Sequence, residues 1–162
     1  MNKYILSILV ENHSGVLSKM AGLFTRRGYN IDSLTVSITE EPSISRMTIV
    51  VCGDEQITEQ IVKQLNKLVD VIKILELRPE KSLSRELALI KVTAEQSTRS
   101  LIIEVVNAFR CNIVEMNPKS MIIEITGDEE KVSAFIELMK PYGIKEIVRT
   151  GLAVLQRRSE MY

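Results

Sequence analysis

The chain has 162 residues, of which 45% are apolar and 26% charged, a mixture that builds a core and excludes a disordered or membrane-embedded protein. Lys plus Arg and Asp plus Glu both number 21, so the formal net charge is zero, whereas nucleic-acid binders usually carry a basic excess. The basic pairs Arg26-Arg27 and Arg157-Arg158 are short and read as solvated helix or tail charges.

Tyr4 to Val10 is an apolar run of strand length interrupted by Ser7, followed at once by Glu11-Asn12-His13. It lacks the small-residue cleavage site of a signal peptide. No segment approaches the roughly 18 apolar residues that span a bilayer, so a cytoplasmic protein is expected. Val16, Leu17, Met20, Leu23 and Phe24 carry helical spacing, and Gly28 is the stop signal. Ile31 to Thr39 alternates, with Leu34, Val36 and Ile38 on one face. Glu40-Glu41-Pro42-Ser43 is a turn before a returning strand, Met47 to Cys52. Gly53-Asp54-Glu55 opens a second helix with Ile57, Ile61, Leu65 and Leu68, and Val71 to Leu77 is the fourth strand.

Pro79-Glu80-Lys81-Ser82-Leu83-Ser84 breaks the pattern and reads as a linker. Beyond it the same order returns: a strand at Leu87 to Val92, a helical stripe from Leu101 to Phe109, and strands at Asn112 to Met116 and Met121 to Thr126. A helix with Val132, Ile136 and Met139 follows, then a strand at Ile144 to Val148. Gly53-Asp54-Glu55 recurs as Gly127-Asp128-Glu129, and Tyr29-Asn30-Ile31 as Cys111-Asn112-Ile113. The expected fold is α+β: two tandem ferredoxin-like βαββαβ domains, each an antiparallel sheet with helices on one face. The expected bounds are residues 1–78, a linker at 79–84, and 85–162. Halves of about 75 residues are marginal alone, and open sheets leave edges and a bare face, so a homodimer that joins sheets is expected.

Catalytic motifs are missing. The one histidine, His13, reads as a surface or capping residue, and no nucleophile elbow, zinc-helix, dinucleotide or phosphate-loop motif occurs. Asp54-Glu55 and Asp128-Glu129-Glu130 stand at helix starts, where carboxylates favour the positive end of the dipole. Cys52 and Cys111 are expected to be buried free thiols; Met20, Met47, Met121 and Met139 fit core stripes.

What remains is the loop from Asn12 to Gly15. Ser14 or Asn12 can cap the helix, Gly15 allows close backbone approach, and freed amides at a helix start suit a carboxylate or phosphate. Asn30 lies just beyond the far end of that helix, roughly 18 Å away at 1.5 Å per residue. One ligand could touch both asparagines only if a second chain supplied the other. The alternative is that Ser14-Gly15 and Asn30 are ordinary cap and turn residues.

Glu11-Asn12-His13-Ser14-Gly15-Val16-Leu17-Ser18 resembles the ACT-domain loop, which binds amino acids at dimer interfaces. Arg27-Gly28-Tyr29-Asn30-Ile31-Asp32-Ser33-Leu34-Thr35-Val36, Ser45-Arg46-Met47-Thr48-Ile49 and Lys63-Gln64-Leu65-Asn66-Lys67-Leu68-Val69-Asp70-Val71 are similar to the small regulatory subunit of acetolactate synthase (acetohydroxyacid synthase). The resemblance spans the chain and is strongest through about residue 78. It implies a homodimer that binds the catalytic (large) subunit, raises its activity and makes it sensitive to valine. Thiamine diphosphate, FAD and magnesium would belong to that partner and none to this chain; Gly53-Asp54-Glu55 is not the Gly-Asp-Gly start of a thiamine diphosphate motif. By position Asn12, Gly15 and Asn30 match the family's valine site. The backbone from His13 through Ser14, Gly15 and Val16 to Leu17 would hold the carboxylate. Asn30 of the other chain, with Ile31 beside it, would take the ammonium end. The loop at Glu95-Gln96-Ser97-Thr98-Arg99 lacks glycine, so no site is expected in the second domain. Two other classes stay open: an ACT-type sensor for another enzyme or for a transcription regulator, which would need a helix-turn-helix, and a free-standing enzyme on this scaffold.

Overall fold

The computed structural model describes residues 2–157; Met1 and residues 158–162, including Arg158 of the second basic pair, lie outside the described residues. The first repeat runs β1 (Asn2–Glu11), α1 (Val16–Arg27), β2 (Ser33–Ile38), β3 (Ile44–Gly53), α2 (Glu55–Leu65) and β4 (Val71–Leu77). After a 3₁₀ turn at Pro79–Lys81 come β5 (Ser82–Thr93), α3 (Arg99–Ala108), β6 (Asn112–Asn117), β7 (Ser120–Gly127) and α4 (Glu129–Met139). A second 3₁₀ turn at Lys140–Tyr142 leads to β8 (Ile144–Arg149), and β9 (Ala153–Gln156) is last. Among the described residues no helix is long and apolar enough to cross a membrane.

The two repeats have the same topology. Strand order is β2-β3-β1-β4 in one sheet and β6-β7-β5-β8 in the other, each antiparallel throughout. This is the ferredoxin-like arrangement that the repeated element order predicts. Even the irregularities match: the central strand slips register against the fourth strand between Leu9 and Val10, and again between Lys91 and Val92.

Alternation decides which face is buried. Leu6, Ile8 and Val10 point at the helices and pack with Val16, Met20, Leu23, Phe24, Ile61 and Leu65. In the second repeat Ala88, Ile90 and Val92 pack with Ile102, Val106, Val132, Phe135 and Met139, and Phe109 meets Phe135 edge to face at 5.4 Å. Met20, Met47, Met121 and Met139 are all buried, as their spacing predicts. The Gly-Asp-Glu echoes have one structural cause. Asp54 and Asp128 are N-caps whose carboxylates accept from Ile57 N and Lys131 N, both at 2.8 Å. A Cβ on Gly53 would press on Ile57 at 3.3 Å, and one on Gly127 would meet Lys131 at 2.6 Å. Gly28 and Arg110 are also equivalent: each follows a helix in the left-handed conformation, with φ of 68° and 54°, and the next amide bonds back to the carbonyl of Phe24 or Val106.

Three expectations change. First, β5 begins at Ser82, inside the expected 79–84 linker. Second, the chain divides into a first unit comprising residues up to Leu83 and those from Leu152, and a second, Ser84–Gly151. This differs from bounds of 1–78 and 85–162 because Leu152 and Val154 bury against Val50 and Leu77. Those residues lie on the helix-free face of the first sheet, where Val50 pairs with Ile5 and Ile5 with Leu77, so that face is partly covered rather than bare. β9 pairs with β5, whose first residues belong to this unit. Third, both free cysteines are half-buried, not buried. The Cys52 thiol donates to Asp32 Oδ2 at 2.6 Å, and that bond pushes its pKa up; burial does the same for Cys111.

Phe135 is fully buried and its ring edge is used, so Phe135→Ala should lower stability by about 3–5 kcal/mol. Leu155→Ala, at an exposed position, should stay within about 0.5 kcal/mol. Urea denaturation followed by circular dichroism measures both; equal midpoints would contradict this packing.

Candidate functional site

The segment between β1 and α1 has a helix start without a side-chain cap. Gly15 is the N-cap residue, with φ 88° and ψ −13°, and no side chain bonds the first amides. Neither Ser14 nor Asn12 takes the capping role that sequence reasoning allowed them. Asn12 is spent elsewhere: its Nδ2 donates to the Pro42 carbonyl at 2.9 Å and its amide to the Ser43 carbonyl at 2.7 Å. This pins the loop to the β2–β3 turn. The first helical bond is Lys19 N to Gly15 O at 3.0 Å, and among the described residues the amides from His13 to Ser18 donate to no backbone carbonyl. Asn12, His13, Ser14, Gly15 and Leu17 are exposed while Val16 is buried, so Val16 anchors the turn. A Cβ on Gly15 would find nothing within 4 Å. Within one chain the glycine is therefore demanded by its left-handed backbone, not by crowding.

Asn30 and Ile31 lie past the other end of α1, after the left-handed Gly28. Asn30 is exposed and its Nδ2 donates to Asp32 Oδ1 at 2.9 Å; Ile31 is half-buried and packs against the core. α1 has 12 residues, roughly 18 Å at 1.5 Å per residue. The chain brings Asn12 to Leu17 together and leaves Asn30 and Ile31 a helix length away.

In the matching loop of the second unit an arginine bridges backbone carbonyls, and α3 also starts without a side-chain cap. Arg99 Nη2 donates to the carbonyls of Ala94, Asn117 and Pro118, at 3.3, 3.1 and 2.6 Å. A guanidinium thus stands at the start of α3, and no residue from Glu95 to Arg99 has positive φ.

Sequence reasoning missed two participants, Lys19 and Asp70, the latter 57 residues from His13. The Asp70 side chain is only 10% exposed, its Oδ1 is 2.8 Å from His13 Nε2, and its Oδ2 accepts from Lys19 Nζ at 2.8 Å. The Glu11 amide donates to the Asp70 carbonyl, and Glu11 Oε2 lies 3.4 Å from His13 Nε2. The available signal was a lone carboxylate between Val69 and Val71 at a strand start. One donor atom from each of Glu11, His13 and Asp70 falls within 4.8 Å of the others, a set that could hold a cation. The Lys19 ammonium already supplies positive charge there.

Both ring nitrogens of His13 face acceptors, because Nδ1 lies 3.0 Å from the Ser14 carbonyl. A neutral imidazole donates one hydrogen bond and an imidazolium donates two. The His13 pKa is raised accordingly, first by the Ser14 carbonyl and then by Asp70. The Asp70 carboxyl is held low, first by Lys19 against the opposing effect of desolvation, then by His13. The histidine contribution is fully present below the unfolded imidazole value of about 6.5 and is lost as pH rises through the raised folded value. The aspartate contribution runs the other way, being lost as pH falls through its lowered value. His13→Gln keeps a neutral donor, so its stability deficit should be largest in mild acid and shrink as pH rises. Thermal unfolding at a series of pH values reads this; a deficit that is flat from about pH 5 to about pH 8 would remove the imidazolium from the tie.

The geometry can be set beside known proteins. Residues 6–73 match the family model described as the AHAS small subunit-like ACT domain, and residues 85–158 match that of the small subunit of acetolactate synthase. A probable acetolactate synthase small subunit of Archaeoglobus fulgidus is 55% identical over 96% of this chain and 97% of its own. An acetolactate synthase small subunit of Mycobacterium bovis is 51% identical over 95% and 92%. The crystal structure of the acetolactate synthase small subunit from Thermotoga maritima superposes with a TM-score of 0.89 at 42% identity, covering 98% of this chain and 99% of that one. With both repeats matched in order and the relatives covered almost end to end, the chain belongs to the acetolactate synthase small-subunit family.

Proposed function

We propose that this chain is the non-catalytic regulatory subunit of an acetolactate synthase, that it activates the catalytic subunit, and that its first unit senses valine for feedback inhibition. The observation that carries the sensing is the uncapped start of α1. Among the described residues the amides from His13 to Leu17, around a left-handed Gly15, donate to no backbone carbonyl and meet no side-chain cap, and such a cluster at the positive end of a helix dipole favours a carboxylate. Family membership supplies the setting: a small subunit implies a large one. The condensation of pyruvate to 2-acetolactate, with thiamine diphosphate, FAD and magnesium, is assigned to that partner.

The ammonium end of valine requires acceptors, and a second copy supplies them in this reading: Asn30 Oδ1, with Ile31 beside the aliphatic part. Support for pairing comes from β2, an edge strand whose Leu34, Val36 and Ile38 are exposed, and edges of this kind invite a further strand. A ligand shared between copies favours one arrangement of the dimer, and such couplings are typically about 1–3 kcal/mol.

Isothermal titration with valine tests the site. Wild type should give saturable heat. Gly15→Asp places a carboxylate where the ligand's own would sit and should abolish binding. Asn30→Ala should weaken binding by about tenfold or more, the usual effect of losing a hydrogen bond to a charged group. Equal heat from wild type and Asn30→Ala would sink the shared site. Turnover of pyruvate by the purified chain with added thiamine diphosphate would overturn the non-catalytic assignment.

A further inference from the structure

The end of the first sheet where β1 begins, opposite the Asn12–Gly15 loop, holds a cavity of about 140 Å³ lined by Glu76, Leu77, Arg78, Lys81, Ser82 and Gln156. The local fold explains why two cations share it. The 3₁₀ turn at Pro79–Lys81 is closed by Lys81 N donating to Arg78 O at 3.0 Å, and in that geometry positions three apart fall on the same side. β9 closes the cavity by bringing Gln156. Next to it, Arg157 is held by two backbone bonds, its amide to the Lys81 carbonyl at 2.8 Å and its Nε to the Ser82 carbonyl at 3.0 Å.

Two features of the cavity are unfinished. Ser82 is only 6% exposed, and its hydroxyl has no hydrogen-bond partner among the described residues, a cost that folded proteins rarely leave standing. Neither Arg78 nor Lys81 pairs with a carboxylate among the described residues. Glu76 is the one acid in the lining, so with Arg157 at the rim the local charge is positive by two. A guanidinium and an ammonium at one small cavity are the donors that an oxyanion needs, and the Ser82 hydroxyl, sealed beneath the lining, would join them by a change of its side-chain rotamer.

We propose that Arg78, Lys81, Ser82 and Gln156 form a second ligand site in the first unit that takes a small oxyanion, a phosphate or the carboxylate of a small acid. It shares no residue with the loop at Asn12 to Leu17 or with Asn30, so it stands or falls independently of valine sensing. The volume admits an anion of phosphate size.

The test is isothermal titration of the full chain with inorganic phosphate and, separately, with acetate, at constant ionic strength set by chloride. Saturable binding at one equivalent per chain is expected, and the tighter of the two anions identifies the class. Arg78→Ala and Lys81→Ala should each weaken binding by about tenfold or more, while Lys67→Ala, away from the cavity, should bind as wild type. Ser82→Ala should bind less tightly yet melt, without ligand, at the same or a higher temperature, because it removes an unsatisfied hydroxyl. No saturable heat with either anion up to about 10 mM, or wild-type affinity in both cation variants, would overturn the site. A lower melting temperature for ligand-free Ser82→Ala would make that hydroxyl structural and remove it from the site.

Discussion

Asp70 bonds the amino-terminal loop through three of its atoms. Its carbonyl takes the amide of Glu11, one carboxylate oxygen takes the ring of His13, and the other takes the ammonium of Lys19. Glu11 ends β1, His13 lies in the loop and Lys19 is in the first turn of α1. A single residue just before β4 thus fixes the strand end, the loop and the helix start. The result is that a helix start can be left uncapped without fraying. Isolated, an uncapped first turn with a glycine at its head would be a weak point. Here Asn12, which could have capped it, is turned to Pro42 and His13 is turned to Asp70, and no side chain caps the first amides. Preorganised donors of this kind lose little conformational freedom when a ligand arrives.

The second unit shows what the same frame becomes without that arrangement. Its equivalents of the strand-end bonds are present: Thr93 N reaches Gly143 O and Ala94 N reaches Lys119 O, as Glu11 and Asn12 reach Asp70 and Ser43. The side chains differ. Ala94 stands in the place of Asn12 and cannot tether, so Arg99 supplies the tether, joining the Ala94 carbonyl to those of Asn117 and Pro118 at the β6–β7 turn. The guanidinium at the start of α3 is engaged by those carbonyls, and no glycine in that loop opens the backbone to close approach. The two loops are alternative solutions to one stability problem: neither helix start has a side-chain cap, and only the first has a left-handed glycine at its head.

Long-period features were legible from sequence and short or cooperative ones were not. Alternation at Leu34, Val36 and Ile38, the helical stripes, and the glycine–aspartate caps each express a local rule, and each falls in the element expected of it. β9 has four residues, and its burial rests on Leu152 and Val154 meeting Val50 and Leu77, partners far away in sequence. No pattern within residues 152–156 announces that. The 79–84 segment misled because Pro79 does break the chain, but only for one 3₁₀ turn before Ser82 resumes a strand. At the loop, Gly15 and the free amides were legible from the motif. Asp70 was not, because an ion-pair network joins residues whose spacing follows no period.

The proposed sensor also explains why its two halves are kept apart. If Asn30 approached Gly15 within one chain, a ligand could bind a monomer and have no effect on assembly. A helix of 12 residues between them makes that impossible, since the gap of roughly 18 Å is several times the length of an amino acid. In the proposed sensor the effector is held by two copies, and its binding free energy differs between arrangements that align the half-sites and arrangements that do not. That difference is the physical content of allosteric coupling. The rigidity supplied by Asp70 matters here for a second reason. A floppy loop could follow its partner through many arrangements and bind equally in all, whereas a pinned one discriminates between them. In the proposed sensor, the tether that holds this loop therefore also makes occupancy of its amides informative to the assembly.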